Sequence, residues 1–102
     1  LEISIVSVAS YLSLEQPGGK IRSARIVLGS VAPVPMRAGD AEKTLIGETP
    51  SPSLFLKAGE TAAADSRPID DHRGTAEYRR DMVSVLTQKT LGAALERANA
   101  SA

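Results

Sequence analysis

The sequence predicts a small α+β domain, strands first and helices after, and three observations carry that reading. Two stretches rich in Ile, Val and Leu are separated by "EQPGGK", Glu15 to Lys20, whose Pro17, Gly18 and Gly19 are turn residues; this is a β-hairpin pattern. From Gly39 onward the apolar spacing becomes helical, with capping residues at Ser51 and Thr75. At 102 residues, residues 1–102 are expected to form a single domain, since domains run to roughly 100 to 200 residues. Its core should be modest, burying about 60 to 70% of the unfolded surface.

The hairpin strands are expected over Glu2–Leu14 and Lys20–Val31. In the first, Val6, Val8, Leu12 and Leu14 share one face, while Ile3, Ile5, Ala9 and Tyr11 share the other. An antiparallel strand in a two-layer domain needs only one apolar face, so something is expected to cover part of the second. In "APVPMRA", Pro33 and Pro35 cannot donate to a ladder, which makes Val34–Arg37 a short edge strand. "GDAEKTLIG" then reads as a short helix, with Asp40 and Glu42 near its positive end, Ala41 and Leu45 inward, and Gly47 ending it.

Ser51 can cap a second helix with Pro52 at its first position, stopping before Pro68 and turning Leu54, Phe55, Ala58 and Ala62 to the core. The last helix is expected from Thr75 to Ala98, with Thr75 capping and Glu77 in the first turn. Tyr78, Met82, Val85 and Leu86 fall on one stripe at helical spacing, whereas Val83, Leu91 and Leu95 fall off it. Either this helix has a broad apolar face or it touches two layers, one of them outside this chain. The chain opens on a strand-like pattern with no initiator Met, so a fragment of a longer protein is expected.

Composition removes several function classes. Twelve basic residues balance twelve acidic ones, leaving no net field to attract nucleic acid or an anionic membrane. Three aromatic residues are too few for a base-stacking platform. The absence of Cys excludes disulfides, thiolate metal sites and thiol nucleophiles within the chain. No apolar run approaches the ~20 residues of a membrane span and no signal peptide is recognisable, so the default location is cytoplasmic.

"IDDHRGTAEYRRDM", Ile69 to Met82, gathers most of the reactive residue types. Asp70, Asp71 and His72 invite a metal or acid–base reading, but consecutive loop residues point in different directions and no second His completes a site. Acidic residues before a helix, paired with Arg73 and Arg79 or Arg80, explain the cluster as a stabilised helix start. No Ser lies in a G-x-S-x-G elbow, and "PGGK" lacks the spacing of a phosphate-binding loop. No catalytic residue and no metal ligand is assigned.

Two stretches, Lys20–Glu48 and Ile69–Leu91, together resemble the C-terminal domain of the FAD-binding medium subunit of the carbon monoxide dehydrogenase and xanthine dehydrogenase family, the molybdenum hydroxylases. The first carries a G-x-V-A-P-x-P-x-R-A turn as Gly29, Val31, Ala32, Pro33, Pro35, Arg37 and Ala38. The second carries a D-x-R-G-S-A-E-Y-R-R helix start as Asp71, Arg73, Gly74, Thr75, Ala76, Glu77, Tyr78, Arg79 and Arg80. Thr75 replaces the common Ser and keeps the hydroxyl, and His72 replaces a residue that is often aliphatic.

The resemblance implies an α+β sandwich, an antiparallel sheet of three to four strands covered by three helices. It implies a non-catalytic domain of a flavoprotein subunit that passes electrons from iron–sulfur clusters to FAD. The FAD would be held mainly by N-terminal domains of the same subunit, with Leu1, Glu2 and Ile3 as weak candidates near the flavin. The implied partners are those N-terminal domains, a molybdopterin large subunit and a 2Fe–2S small subunit. A different class of function also fits the residues: a self-contained homo-oligomerisation module without cofactor, using the exposed sheet face and the long helix.

Overall fold

The structure, a computed structural model, describes residues 6–29, 35–66 and 76–100. Strands β1 (Ser7–Leu14) and β2 (Ile21–Gly29) form the expected antiparallel hairpin. Gly18 takes a positive φ of 74° in its turn, a conformation that suits a residue without Cβ. The two-residue strand β3 (Met36–Arg37) adds to β2, giving the sheet order β1-β2-β3. Helices α1 (Gly39–Leu45), α2 (Pro52–Asp65) and α3 (Ala76–Ala100) follow. The result is the α+β sandwich that the sequence predicts.

Alternation decides which sheet face is buried. On the helix side lie Leu12 of β1 and Ala24, Ile26 and Leu28 of β2, all buried, and Ser10 reaches Thr90 of α3 through a 2.7 Å hydroxyl contact. The register shifts between Ser13 and Leu14, which pair with Ser23 and Ile21. Arg22 is therefore an extra residue, a β-bulge, and the shift returns Ile21 to the inner face, where it is fully buried. The opposite face is uncovered by any described element: Ala9 is exposed and Tyr11 is 54% exposed. The cover expected for this face is not supplied by the described residues.

Helix ends follow the local chemistry. Gly47 has φ 83°, as a residue just past a helix end often requires, and its N–H donates to the Ile21 carbonyl at 2.8 Å while Ile21 N–H donates to Glu48 O at 3.0 Å. Ser51 Oγ accepts from Leu54 N–H at 3.1 Å, and Pro52 opens α2. Phe55, Ala58 and Ala62 are buried as expected, Leu54 packs half-buried against the core, and Gly59 joins the buried face.

The stripe expected on α3 is corrected. Tyr78 and Val85 are 59% and 57% exposed, and Met82 and Leu86 are half-buried. The buried line is instead Val83, Thr87, Leu91 and Ala94, which also follows helical spacing. Its physical reason is that α3 is held between β1 and α2, with α2 so close that a Cβ on Gly59 would lie 2.7 Å from the Ser84 carbonyl oxygen. The side of α3 enclosed by both layers carries Val83, Thr87, Leu91 and Ala94, and Tyr78 and Val85 lie outside it. The helix does touch two layers, β1 of the sheet and α2, both within this chain. None of the described helices is long and apolar enough to cross a membrane.

Candidate functional site

The junction of β3 and α1 holds a connected cluster of polar groups. Strand β3 ends after Arg37, so Ile26 of β2 loses a ladder partner. Glu42 of α1 supplies one: its Oε2 accepts the Ile26 N–H at 2.9 Å. Arg37 donates to the same carboxylate through Nε at 3.1 Å and Nη2 at 2.8 Å. That bidentate geometry is the strong form of an arginine–carboxylate pair. The hydrogen bond to Glu42, reinforced by its charge, raises the Arg37 pKa. Glu42 is 7% exposed, so a charge at the sheet edge is both buried and satisfied.

Dinucleotide pyrophosphates bind at free helix N-termini behind glycine-rich loops. Here α1 presents its Ala41 N–H to the Asp65 carboxylate at 3.3 Å, and the start of α2 is capped by Ser51. Burial raises the pKa of Asp65, Asp40 adds to the rise through its charge, and the Ala41 N–H bond opposes it. Both starts are thus occupied by oxygen acceptors, one of them acidic. These residues do not fit the pyrophosphate of FAD. Among the described residues no group of three or more His, Asp or Glu is placed to hold a metal ion.

The open sheet face carries Ala9, Tyr11 and Ser13 of β1 opposite Val27, Arg25 and Ser23 of β2. At the hairpin end a depression of about 550 Å³ is lined in part by Tyr11, Glu15 and Arg22. A second groove of about 530 Å³ runs between the start of α2 and α3, with Phe55, Val85 and Leu95 on its walls.

The sequence-derived site residues fall as follows. Leu1, Glu2 and Ile3 lie outside the described residues, as do Asp70, Asp71, His72, Arg73 and Thr75. The described end of the charged stretch is helical, with Tyr78, Arg80 and Asp81 exposed. Sequence reading missed the buried role of Glu42, which it treated only as a first-turn acid. The available signal was Arg37, five residues earlier, in a turn too short to carry the sheet further.

Among the described residues the two-layer α+β sandwich leaves one sheet face open, and the starts of α1 and α2 are filled by Asp65 and Ser51. The chain belongs to the CO dehydrogenase flavoprotein C-terminal domain family, whose sequence profile matches residues 1–94. It is 38% identical over 96 residues to the carbon monoxide dehydrogenase medium chain of Afipia carboxidovorans, covering 94% of this chain and 32% of that one. It is 33% identical over 88 residues to the glyceraldehyde dehydrogenase medium chain of Sulfolobus acidocaldarius, covering 86% and 31%. In quinoline 2-oxidoreductase from Pseudomonas putida 86 the matching fold superposes with a TM-score of 0.84 at 28% identity, covering 92% of this chain and 32% of the other. The chain thus spans about a third of the length of these relatives.

Proposed function

We propose that this chain is the C-terminal domain of the flavoprotein subunit of a molybdenum hydroxylase, without a catalytic residue of its own. In this reading FAD binds mainly to N-terminal domains of the same subunit, and electrons reach it from 2Fe–2S clusters of a small subunit after oxidation of substrate at a molybdopterin large subunit. This domain closes one side of the flavin site and docks to its neighbours. Leu1, Glu2 and Ile3, preceding β1, are the residues of this chain that come nearest the flavin. The observation that carries the reading is the family match over residues 1–94, and two features support it: the sheet face left open and the helix starts already filled by Asp65 and Ser51.

Purification of the full-length subunit from a host that makes FAD tests the cofactor role, with visible flavin absorption as the expected result and its absence as refutation. A catalytic role for the charged stretch is tested by His72→Leu: flavin content and turnover of the assembled enzyme should stay unchanged, and loss of turnover at unchanged flavin content would reverse the assignment. The competing reading, a homo-oligomerisation module, predicts a tight dimer in sedimentation, whereas the proposed domain sediments as a monomer.

A further inference from the structure

The open face of the sheet is chemically one-sided. Its outward residues on β1 and β2 are Ser7, Ala9, Tyr11, Ser13, Ser23, Arg25, Val27 and Gly29, with bulge residue Arg22 beside them. Arg22 and Arg25 are exposed, and neither has an ion-pair or hydrogen-bond partner among the described residues. Glu15 lines the same depression as Arg22 and Tyr11 but pairs with neither arginine. Arg37, outward on β3, is committed to Glu42. Among the described residues the face therefore presents two unpaired guanidinium groups around an exposed tyrosine, on a floor of small side chains, with no carboxylate on β1, β2 or β3.

We infer that this face is a docking surface for a carboxylate-bearing surface of the same subunit, contributed by the two thirds of its length that lies outside this chain; the inference rests on the flavoprotein-subunit reading. Charge selects the occupant. Two copies of the chain face to face would set arginine against arginine, which costs binding, so a second copy is the wrong partner. Arginine forks suit carboxylates bidentately, and tyrosine and arginine are both enriched among the residues that anchor interfaces. Ala9, exposed and short, leaves room for side chains of the incoming surface to reach β1. Chain length selects it too: the relatives are about three times as long as this chain.

The test uses the full-length subunit. Hydroxyl-radical labelling of Tyr11, read by mass spectrometry, should run at least about tenfold below the rate of a free tyrosine in the native subunit and should rise at least about fivefold in Arg22→Glu/Arg25→Glu. In Arg25→Lys, treatment with a zero-length carbodiimide should join position 25 to an Asp or Glu of the preceding part of the same polypeptide. Tyr11 labelled at the free rate in the native subunit, a protected Tyr11 indifferent to charge reversal, or a crosslink running to another copy or another subunit would each overturn the inference. Flavin absorption, recorded on the same samples, reports separately on the flavoprotein reading: a flavin-loaded subunit with an open Tyr11 rejects the docking face alone.

Discussion

Gly59 offers a prediction in which the sign of the effect, and not only its size, distinguishes packing from propensity. Replacing a helical glycine by alanine stabilises a helix by about 1 kcal/mol when nothing else intervenes. At Gly59 the new Cβ would stand 2.7 Å from the Ser84 carbonyl oxygen and 3.0 Å from Gln88 Cγ. The carbonyl is part of the α3 backbone and cannot rotate away, so the helices must separate, and overpacking of this kind costs about 1 to 3 kcal/mol. Gly59→Ala should therefore be destabilising by about 0 to 2 kcal/mol, despite the better helix former. Gly92, in α3, has nothing within 4 Å of its Cβ position, and Gly92→Ala should keep the propensity gain. Urea unfolding followed by circular dichroism measures both. In heat, Gly92→Ala should raise Tm by about 4 to 8 °C, the shift that 1 kcal/mol produces in a domain of this size. If Gly59→Ala stabilised as much as Gly92→Ala, the close approach of α2 and α3 would be refuted.

Three further outcomes follow from the polar contacts. Glu42→Ala removes the charged acceptor of the Ile26 N–H and should cost about 1.5 to 3 kcal/mol, with faster amide exchange at Ile26; an unchanged urea midpoint would contradict the edge-closing role. Thr87 is fully buried and its Oγ1 has no partner among the described residues, so Thr87→Val should stabilise by about 1 kcal/mol, since it removes an unsatisfied buried hydroxyl at similar volume; destabilisation would contradict this. Asp65 has its pKa raised chiefly by burial, so the folded state binds its proton more tightly than the unfolded state does. Its contribution to stability is full below the unfolded value and is lost as pH rises through the folded one. Asp65→Asn keeps an acceptor for Ala41 N–H and should gain on the native chain as pH rises through and above the usual aspartate range, measured as Tm against pH; a constant difference would contradict the linkage.

Local chemistry made much of the architecture legible in the sequence. Pro17-Gly18-Gly19 marked the hairpin, Ser51-Pro52 the start of α2, and Gly47 the end of α1, because each is a residue choice dictated by a single turn of backbone. The buried face of α3 was not legible. Tyr78, Met82, Val85 and Leu86 are the more apolar choice by side chain, and only the placement of β1 and α2 against α3 selects the line through Val83, Thr87 and Leu91. Glu42 was misjudged for a related reason: its partner Ile26 N–H becomes available only because β3 is two residues long. Of the functional assignments, the open second face of β1 was readable from Ala9 and Tyr11. Arg25, opposite Tyr11, follows from alternation too, but Arg22 does not, because it lies in a bulge that alternation alone does not reveal.

Flavin content of the full-length native polypeptide tests most directly the proposal that this chain is the C-terminal domain of a flavin-binding subunit. Purified subunit, denatured to release bound cofactor, should yield about one FAD per chain. A correctly folded subunit that yields no flavin would contradict the account.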